Sequence, residues 1–294
     1  MHVFLTGSTG YIGSAVLTAL LEAGHTVTAL VRNEDAAASV GRRGATALIG
    51  DMRSHDIVGR AASRVDAVIA TALPGDATAG QADADFVDAV LDGLSPGRTL
   101  IRTGGVWVHG SGAQITESSV IDPPDLVSWR ADLDERALKA RSVRSLLVEP
   151  GVVYGRGGGI PHLLASAAQT EEDGPALVLV GDGTQHWTTV HVDDLAGLYV
   201  LALTHGDAGS RFLGVSGENP TVRELGVAAS HRRGLQGRVA PEAPADTVAR
   251  LGAFGEALLL DQQASGELAR RTLGWTPVQR SLVEELAAGG YDPR

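Results

Sequence analysis

Apolar and polar positions alternate along the first half of the chain as short apolar runs separated by amphipathic segments. The strand-like apolar runs cover residues 2–6, 26–31, 45–49, 66–70, 98–103 and 143–149. Segments with helical spacing cover residues 12–23, 34–42, 55–63, 81–92 and 130–141. Strands that alternate with helices predict a doubly wound parallel sheet with helices on both faces, an α/β fold.

The alternation becomes less regular after Gly151. A glycine-rich stretch at 155–159, a strand-like run at 176–180 and a Pro/Ala segment at 240–247 predict a smaller lobe. We therefore expect a core over residues 1–150 and a C-terminal lobe over residues 151–294. The lobe is expected to be interwoven with the last strands of the core.

The first strand leads directly into a glycine motif, Gly7-x-x-Gly10-x-x-Gly13, which opens an Ala/Leu-rich helix. In a Rossmann fold, one such glycine permits a tight turn, one lets a pyrophosphate approach the backbone, and one lets helix and strand pack closely. The backbone amides at the start of the helix favour phosphate charge. The motif therefore predicts a dinucleotide site, and a tight turn without a ligand is the alternative.

Composition narrows the choice of partners. The chain has 24 basic and 35 acidic residues, a net charge of −11, which argues against binding to nucleic acid. It contains no cysteine, so thiolate catalysis and cysteine-based metal sites are excluded. No apolar stretch approaches the ~20 residues that span a bilayer, and we expect a cytoplasmic protein with no membrane contact and no metal.

Several motifs resemble those of the extended short-chain dehydrogenase/reductase superfamily, specifically its NAD(P)-dependent epimerase/dehydratase family. The glycine motif, preceded by Thr6, is the first of them. Others are Val152-Val153-Tyr154-Gly155, the stretch from Gly181 to Ala196, and Leu273-Gly274-Trp275-x-Pro277. They follow the family order over nearly the whole chain. The resemblance implies a Rossmann core, a C-terminal substrate lobe and a small-molecule substrate. It leaves room for a homodimer, because relatives often pair through helices in the middle of the chain.

The resemblance also implies which residues hold the cofactor. They are Gly7, Thr9, Gly10, Tyr11, Ile12, Gly13, Arg32, Asp51, Met52, Ala70, Thr71, Ala72 and Thr103. Arg32 follows the second strand, where an NAD site carries a carboxylate for the ribose hydroxyls. A guanidinium there binds a 2′-phosphate instead, so we expect NADP(H) in preference to NAD(H). A solvent-facing Arg32 without a ligand is the alternative. Glu34 and Asp35 fit better as the start of the next helix.

The chain departs from the family at the catalytic centre. The family pattern is a Tyr followed four residues later by Lys, with a Ser or Thr from the preceding strand end. Here Val127 and Ala131 stand where Tyr and Lys belong. Gly104 and Gly105 stand beside Thr103, which alone keeps a hydroxyl in that stretch. The usual proton donor is therefore missing.

Other side chains are candidates for the missing chemistry. Thr103, Tyr154 and His109 are the candidate catalytic residues, because a phenol or an imidazole can transfer a proton. Tyr154 in relatives usually shapes the pocket, and a packing role for His109 is the alternative. The candidate substrate-binding residues are Trp107, Arg130, Tyr154, His186 and Trp187. Trp187 fits the core equally well, and Arg130 fits an exposed helix charge equally well.

These observations favour an NADP(H)-dependent oxidoreductase or isomerase that acts on a small carbonyl or alcohol substrate without the usual Tyr-x-x-x-Lys. Two alternatives stay open. One is a catalytically silent NADP(H)-binding sensor or scaffold, which the missing Tyr, Lys and Ser favour. The other is non-redox dehydration or cyclisation assisted by a tightly held cofactor.

Overall fold

The computed structural model of the chain describes residues 1–171 and 174–292. The strands, numbered in chain order, are β1 (His2–Thr6), β2 (Thr26–Val31), β3 (Thr46–Ile49), β4 (Ala67–Ala70), β5 (Thr99–Thr103), β6 (Gly112–Ile115), β7 (Arg144–Pro150), β8 (Val152–Tyr154), β9 (Gln169–Thr170), β10 (Ala176–Val178), β11 (Thr189–His191), β12 (Arg211–Gly214), β13 (Val239–Ala240) and β14 (Gln262–Ala264).

The helices are numbered in the same way. They are α1 (Tyr11–Glu22), α2 (Glu34–Arg42), α3 (His55–Ala62), α4 (Ala79–Gly93), α5 (Arg130–Leu138), α6 (His162–Ala165), α7 (Val192–His205), α8 (Val222–Arg232), α9 (Pro244–Leu251), α10 (Ala253–Leu258), α11 (Glu267–Leu273) and α12 (Leu282–Ala287). Short 3₁₀ turns cover Val106–His109 and Asp125–Val127.

Seven strands form one parallel sheet in the order β12-β7-β5-β4-β1-β2-β3. This order is the doubly wound arrangement, in which the chain starts in the middle of the sheet and works outward in both directions. The α/β Rossmann fold with helices on both faces is therefore confirmed. The predicted strands and helices of the first half are present, with ends that differ by up to three residues.

The alternation of side chains along β1 explains the two faces of the sheet. Val3 and Leu5 point to one face, where they join the apolar cluster of α1 and α7 that includes Tyr199. Phe4 points to the other face and packs with Phe86 of α4. Successive strand residues face opposite sides, so a buried central strand must be apolar at every position.

The C-terminal half divides between the sheet and a separate core. The strand β12 pairs with β7, and α7 packs beside α1, so this half of the chain returns into the main sheet. The remaining part packs around its own apolar cluster, which contains Trp187 and Leu225. The domain boundary at residue 150 stays a prediction. Among the helices of the described residues, none combines the length and the apolar character needed to cross a membrane.

The parallel arrangement places the carboxyl ends of all seven main strands at one edge of the sheet. Thr6 ends β1, Ala70 ends β4, Thr103 ends β5 and Pro150 ends β7. Ligands of open α/β sheets bind outside this edge, at the point where the strand order reverses. The residues singled out from the sequence near these strand ends are thereby brought to the same side of the molecule.

Candidate active site

A cavity of about 900 Å³ lies at the carboxyl edge of the sheet. Ile12 of the glycine loop lines one part of it, and the ends of β4, β5 and β7 line the floor. Apolar side chains make most of the remaining wall. They are Leu73, Val106, Trp107, Leu126, Val127, Trp129, Val152, Val153, Ile160 and Phe254. A cavity of this size at this edge fits a nicotinamide together with a small substrate.

The glycine loop has the geometry of a phosphate-binding turn. Gly7 has φ of +74°, a left-handed conformation that favours glycine. A Cβ on Gly13 would lie 2.1 Å from the carbonyl oxygen of Gly7, so only glycine allows this close contact. Gly10 caps α1 without a side-chain hydrogen bond, and the first turn carries no acidic residue. The amides at this helix start are thus available to an anion.

The backbone wall after β4 is fixed by hydrogen bonds to Thr6. The hydroxyl of Thr71 donates to the carbonyl oxygen of Thr6 at 2.7 Å, and the amide of Ala72 donates to the Thr6 hydroxyl at 3.3 Å. Ala70, Thr71 and Ala72 all line the cavity. The structure therefore brings these three predicted cofactor residues together with Ile12.

The predicted nucleotide-selecting residues lie farther along the same edge. Arg32 directly follows β2; it is exposed and forms no ion pair within the described part of the chain. Asp51 accepts a hydrogen bond from the amide of Arg53 at 2.8 Å, so it fixes the turn after β3. Met52 lies beside it and packs partly against the core. Glu34 and Asp35 lie in the first turn of α2, as expected.

Thr103 lines the cavity, but its hydroxyl is already used. It donates to the carbonyl oxygen of Ala70 at 2.7 Å and lies 2.6 Å from the hydroxyl of Tyr199. Since the single hydroxyl proton of Thr103 goes to Ala70, Tyr199 is the donor in the second bond. Tyr199 is fully buried in α7, and burial raises the pKa of its phenol. Sequence reasoning missed Tyr199, because nothing local connects α7 with β5.

Two side chains beside the cavity belong to the start of α5. The guanidinium of Arg130 donates to the carbonyl oxygen of Thr103 at 3.0 Å. It also lies over the ring of Trp129, 4.6 Å from the ring centroid, in a cation–π contact. Arg130 and Trp107, both predicted to bind substrate, line the cavity.

A buried ion cluster forms part of the cavity wall, where Asp83 and Arg102 line it. Arg102 is 2% exposed and forms four hydrogen bonds, two to Asp83 of α4 and two to Asp134 of α5, at 2.7–3.2 Å. Burial raises the pKa of Asp134, although Arg102 opposes the change. Sequence reasoning missed this cluster. The sequence does carry one indication of it, because Arg102 follows Leu100 and Ile101 in an apolar strand. A charged side chain in a central strand must be paired with an opposite charge.

The structure corrects two interpretations about proton donors. Tyr154 is buried in the core of the C-terminal lobe, and its hydroxyl donates to the carbonyl oxygen of Arg280 at 2.6 Å. The side chain of His109 is fully buried, with Nε2 3.4 Å from a carboxylate oxygen of Glu149. Neither side chain lines the cavity formed by the described residues. Packing, rather than exchange of a proton with substrate, is what these positions show.

Two predicted substrate-binding residues also lie elsewhere. The indole of Trp187 is 3% exposed and donates to the carbonyl oxygen of Leu258 at 3.0 Å, so it belongs to the core of the lobe. His186 hydrogen bonds to Asp261 at 2.8 Å near the surface. Because neither lines the cavity, substrate contact at these positions is corrected to a structural role.

The fold, the glycine loop and the adjoining cavity define a dinucleotide-binding enzyme of the Rossmann type. Two family models match the sequence: NAD(P)H-binding over residues 7–96, and the NAD-dependent epimerase/dehydratase family over residues 134–213. The chain belongs to this NAD(P)-dependent epimerase/dehydratase family. It is therefore an enzyme of the NAD(P)-dependent oxidoreductase and epimerase type.

Individual relatives match the chain over nearly its whole length, and a solved structure shares its fold. An uncharacterised protein of Schizosaccharomyces pombe is 30% identical over 300 residues, which cover 99% of this chain and 100% of the relative. A 2-alkyl-3-oxoalkanoate reductase of Stenotrophomonas maltophilia is 26% identical, covering 97% of this chain and 89% of the relative. Among solved structures, the dTDP-glucose 4,6-dehydratase of Bacillus anthracis in complex with NAD has a TM-score of 0.77 at 16% identity, covering 99% of this chain and 95% of that chain.

Proposed function

We propose that the chain is an NADP(H)-dependent reductase of a carbonyl group in a small, apolar substrate. The observation that carries the proposal is the cavity at the sheet edge, which adjoins the glycine loop and is lined mostly by apolar side chains. The similarity to a 2-alkyl-3-oxoalkanoate reductase supports a ketone as the reacting group. A lining that is mostly apolar suits an apolar substrate better than a sugar with many hydroxyls.

The residues of the glycine loop fit a dinucleotide. The free amides at the start of α1 suit a pyrophosphate, and the exposed guanidinium of Arg32 suits a 2′-phosphate. The backbone of Ala70, Thr71 and Ala72 would flank the ribose. When bound, the nicotinamide supplies or accepts a hydride.

The chain's own residues shape the reacting space. The Ala70–Thr103–Tyr199 hydrogen bonds fix the end of β5 to β4 and α7. The rings of Trp107 and Phe254 form an edge-to-face contact, with their centroids 6.0 Å apart. Both rings line the side of the cavity that the C-terminal lobe forms. We infer that residues 151–294 serve as the substrate lobe, because Val153, Ile160 and Phe254 come from it.

Water is the proton source that fits this geometry. The described residues that line the cavity include no Tyr, His or Lys, and the proton of Thr103 is bonded to Ala70. Loss of a positioned acid typically costs ~10²–10⁴ in rate. We therefore expect slow reduction of simple ketones and faster reduction of activated substrates, such as conjugated enones or iminium ions.

A turnover assay tests the proposal. NADPH oxidation is followed with a simple apolar ketone, a conjugated enone and a nucleotide sugar, each with and without the enzyme. The proposal expects faster oxidation with enzyme for the two apolar substrates and none for the nucleotide sugar. It fails if neither apolar substrate reacts faster than with free NADPH.

A nucleotide-binding sensor is the second candidate. It is favoured by the same absence of Tyr and Lys from the cavity lining and by the bonded hydroxyl of Thr103. This candidate expects tight binding of NADP(H) without turnover of any carbonyl. The assay above separates the two, provided that binding of the cofactor is measured in parallel by calorimetry.

A further inference from the structure

The guanidinium of Arg130 carries more hydrogen-bond donors than the protein uses. A guanidinium has five N–H donors. Within the described residues, Arg130 makes one hydrogen bond, from Nη1 to the carbonyl oxygen of Thr103, and it forms no ion pair. Its other contact is the face of the Trp129 ring, which accepts no conventional hydrogen bond. The remaining N–H donors of Arg130 have no hydrogen-bond partner within the described residues, and the side chain that carries them lines the cavity.

The nearby carboxylates do not satisfy these donors. Asp83 and Asp134 both attract Arg130, yet both are held by Arg102. Arg102 lies between α4 and α5 and donates to both carboxylate oxygens of Asp83 and to Oδ1 of Asp134. Oδ2 of Asp134 is buried and has no hydrogen-bond partner within the described residues, and no bond from Arg130 reaches it. Arg130 is therefore the arginine of the two whose donors are mostly unused. A partly buried cation with free donors favours an acceptor that a ligand supplies.

The rest of the cavity limits what that ligand can be. Trp107, Phe254, Leu126 and Ile160 present apolar surface. The cations that line the cavity are Arg102 and Arg130, and Arg102 is already paired. Arg130 is therefore the one cation without an ion pair among the described residues that line the cavity. A single planar carboxylate matches it, because arginine and carboxylate form two parallel hydrogen bonds.

We propose that Arg130 binds the carboxylate of the substrate, and that the substrate class is an apolar monocarboxylic oxo acid. The binding of the carboxylate is argued from Arg130 itself, whereas the oxo group rests on the proposed function. The alkyl or aryl body of the acid lies against Trp107 and Phe254. In this role Arg130 determines specificity, since it distinguishes an acid from the neutral molecule of the same shape.

Binding of an unreactive pair of ligands tests the proposal without turnover. Octanoate and octanamide share a planar head group and an apolar chain but differ in charge. Calorimetry measures both with the NADP⁺-loaded protein and with the protein alone. Hydrogen bonds to a charged group contribute enough to change affinity by about tenfold to a hundredfold, so octanoate should bind tighter by that factor.

Variants on the same helix locate the effect. Arg130→Gln should remove the preference for octanoate, and Arg130→Lys should retain part of it, because the charge stays but the paired donors are lost. Arg136→Gln is the matched control, since Arg136 lies on α5 in an exposed pair with Asp88. It should bind octanoate as the unaltered chain does. The melting temperature of each variant confirms that it is folded.

Three results would overturn the proposal. Octanamide could bind the unaltered chain as tightly as octanoate, or Arg130→Gln could weaken both ligands equally. Alternatively, Arg130→Gln could weaken NADP⁺ while leaving the octanoate preference intact, which would assign the guanidinium to the cofactor. If NADP⁺ fails to bind, the proposed function fails instead, and the carboxylate preference is judged on the protein alone.

Discussion

Two glycines that directly follow β5, Gly104 and Gly105, line the cavity. The two glycines that replace the family hydroxyls differ in what surrounds them. A Cβ on Gly104 would lie 3.0 Å from Cγ of Glu149 and 3.2 Å from Cδ1 of Leu147. A Cβ on Gly105 would meet nothing within 4 Å, and its backbone, with φ of 179°, suits any residue. Packing around position 104 is thus tight, so a Cβ there requires Glu149 and Leu147 to shift, whereas at 105 glycine leaves open space beside the cavity.

This contrast predicts that substitution by alanine destabilises the fold at position 104 and has little effect at position 105. Gly104→Ala should lower the free energy of unfolding by about 1–3 kcal/mol, because the methyl group overpacks the core. Gly105→Ala should change it by less than about 0.5 kcal/mol, as for an open surface site. Urea unfolding measures both. Equal losses of unfolding free energy in the two variants would contradict the difference in packing between positions 104 and 105.

The proposed preference for NADP(H) also rests on one residue, Arg32. Arg32→Ala should raise the Kd for NADP⁺ by about tenfold to a hundredfold, because a charge-assisted contact to the 2′-phosphate is lost. The Kd for NAD⁺, which lacks that phosphate, should stay unchanged. Arg42→Ala is the control, since Arg42 is exposed at the end of α2. A parallel loss for both cofactors would show that Arg32 does not read the phosphate.

Among the elements, the hydrophobic pattern predicted the strands and helices of the first half well. It did not predict which elements that are distant in sequence pair or pack together. The helix α2 has the predicted bounds because Asn33 accepts a hydrogen bond from the amide of Ala36 and begins the helix locally. The helix α5 ends at Leu138 rather than 141. The pairing of β12 with β7, and the packing of α7 against α1, depend on contacts between distant residues, which periodicity does not encode.

The cluster of Arg102, Asp83 and Asp134 joins three elements, because it ties α4 and α5 to β5. Arg102→Met should destabilise the fold by about 3–5 kcal/mol, since two buried carboxylates lose their partner. Arg136→Met, which removes an exposed pair with Asp88, should cost less than about 0.5 kcal/mol. Urea unfolding of both variants checks this. A stable Arg102→Met variant would mean that the carboxylates are neutral or hydrated.

At the scale of the whole molecule, the fold could be predicted and the chemistry could not. The glycine motif and the strand–helix alternation identified the dinucleotide site, because each of its features is local. Val127, which the resemblance aligns with the tyrosine of the family, lines the cavity, and that alignment stays a prediction. Tyr154, His109, Trp187 and His186 do not line the cavity of the described residues, and the sequence could not choose between cavity and core for them, because that depends on tertiary packing.

The proposed function requires hydride transfer between a nicotinamide and an apolar carbonyl compound without a tyrosine acid. Transfer is followed with NADPH that carries deuterium at C4 and an apolar oxo acid, with mass spectrometry of the alcohol formed. We expect enzyme-dependent transfer of deuterium to the carbinol carbon, at a rate above that of free NADPH. Tight binding of NADPH with no labelled alcohol would contradict it and would favour a nucleotide sensor.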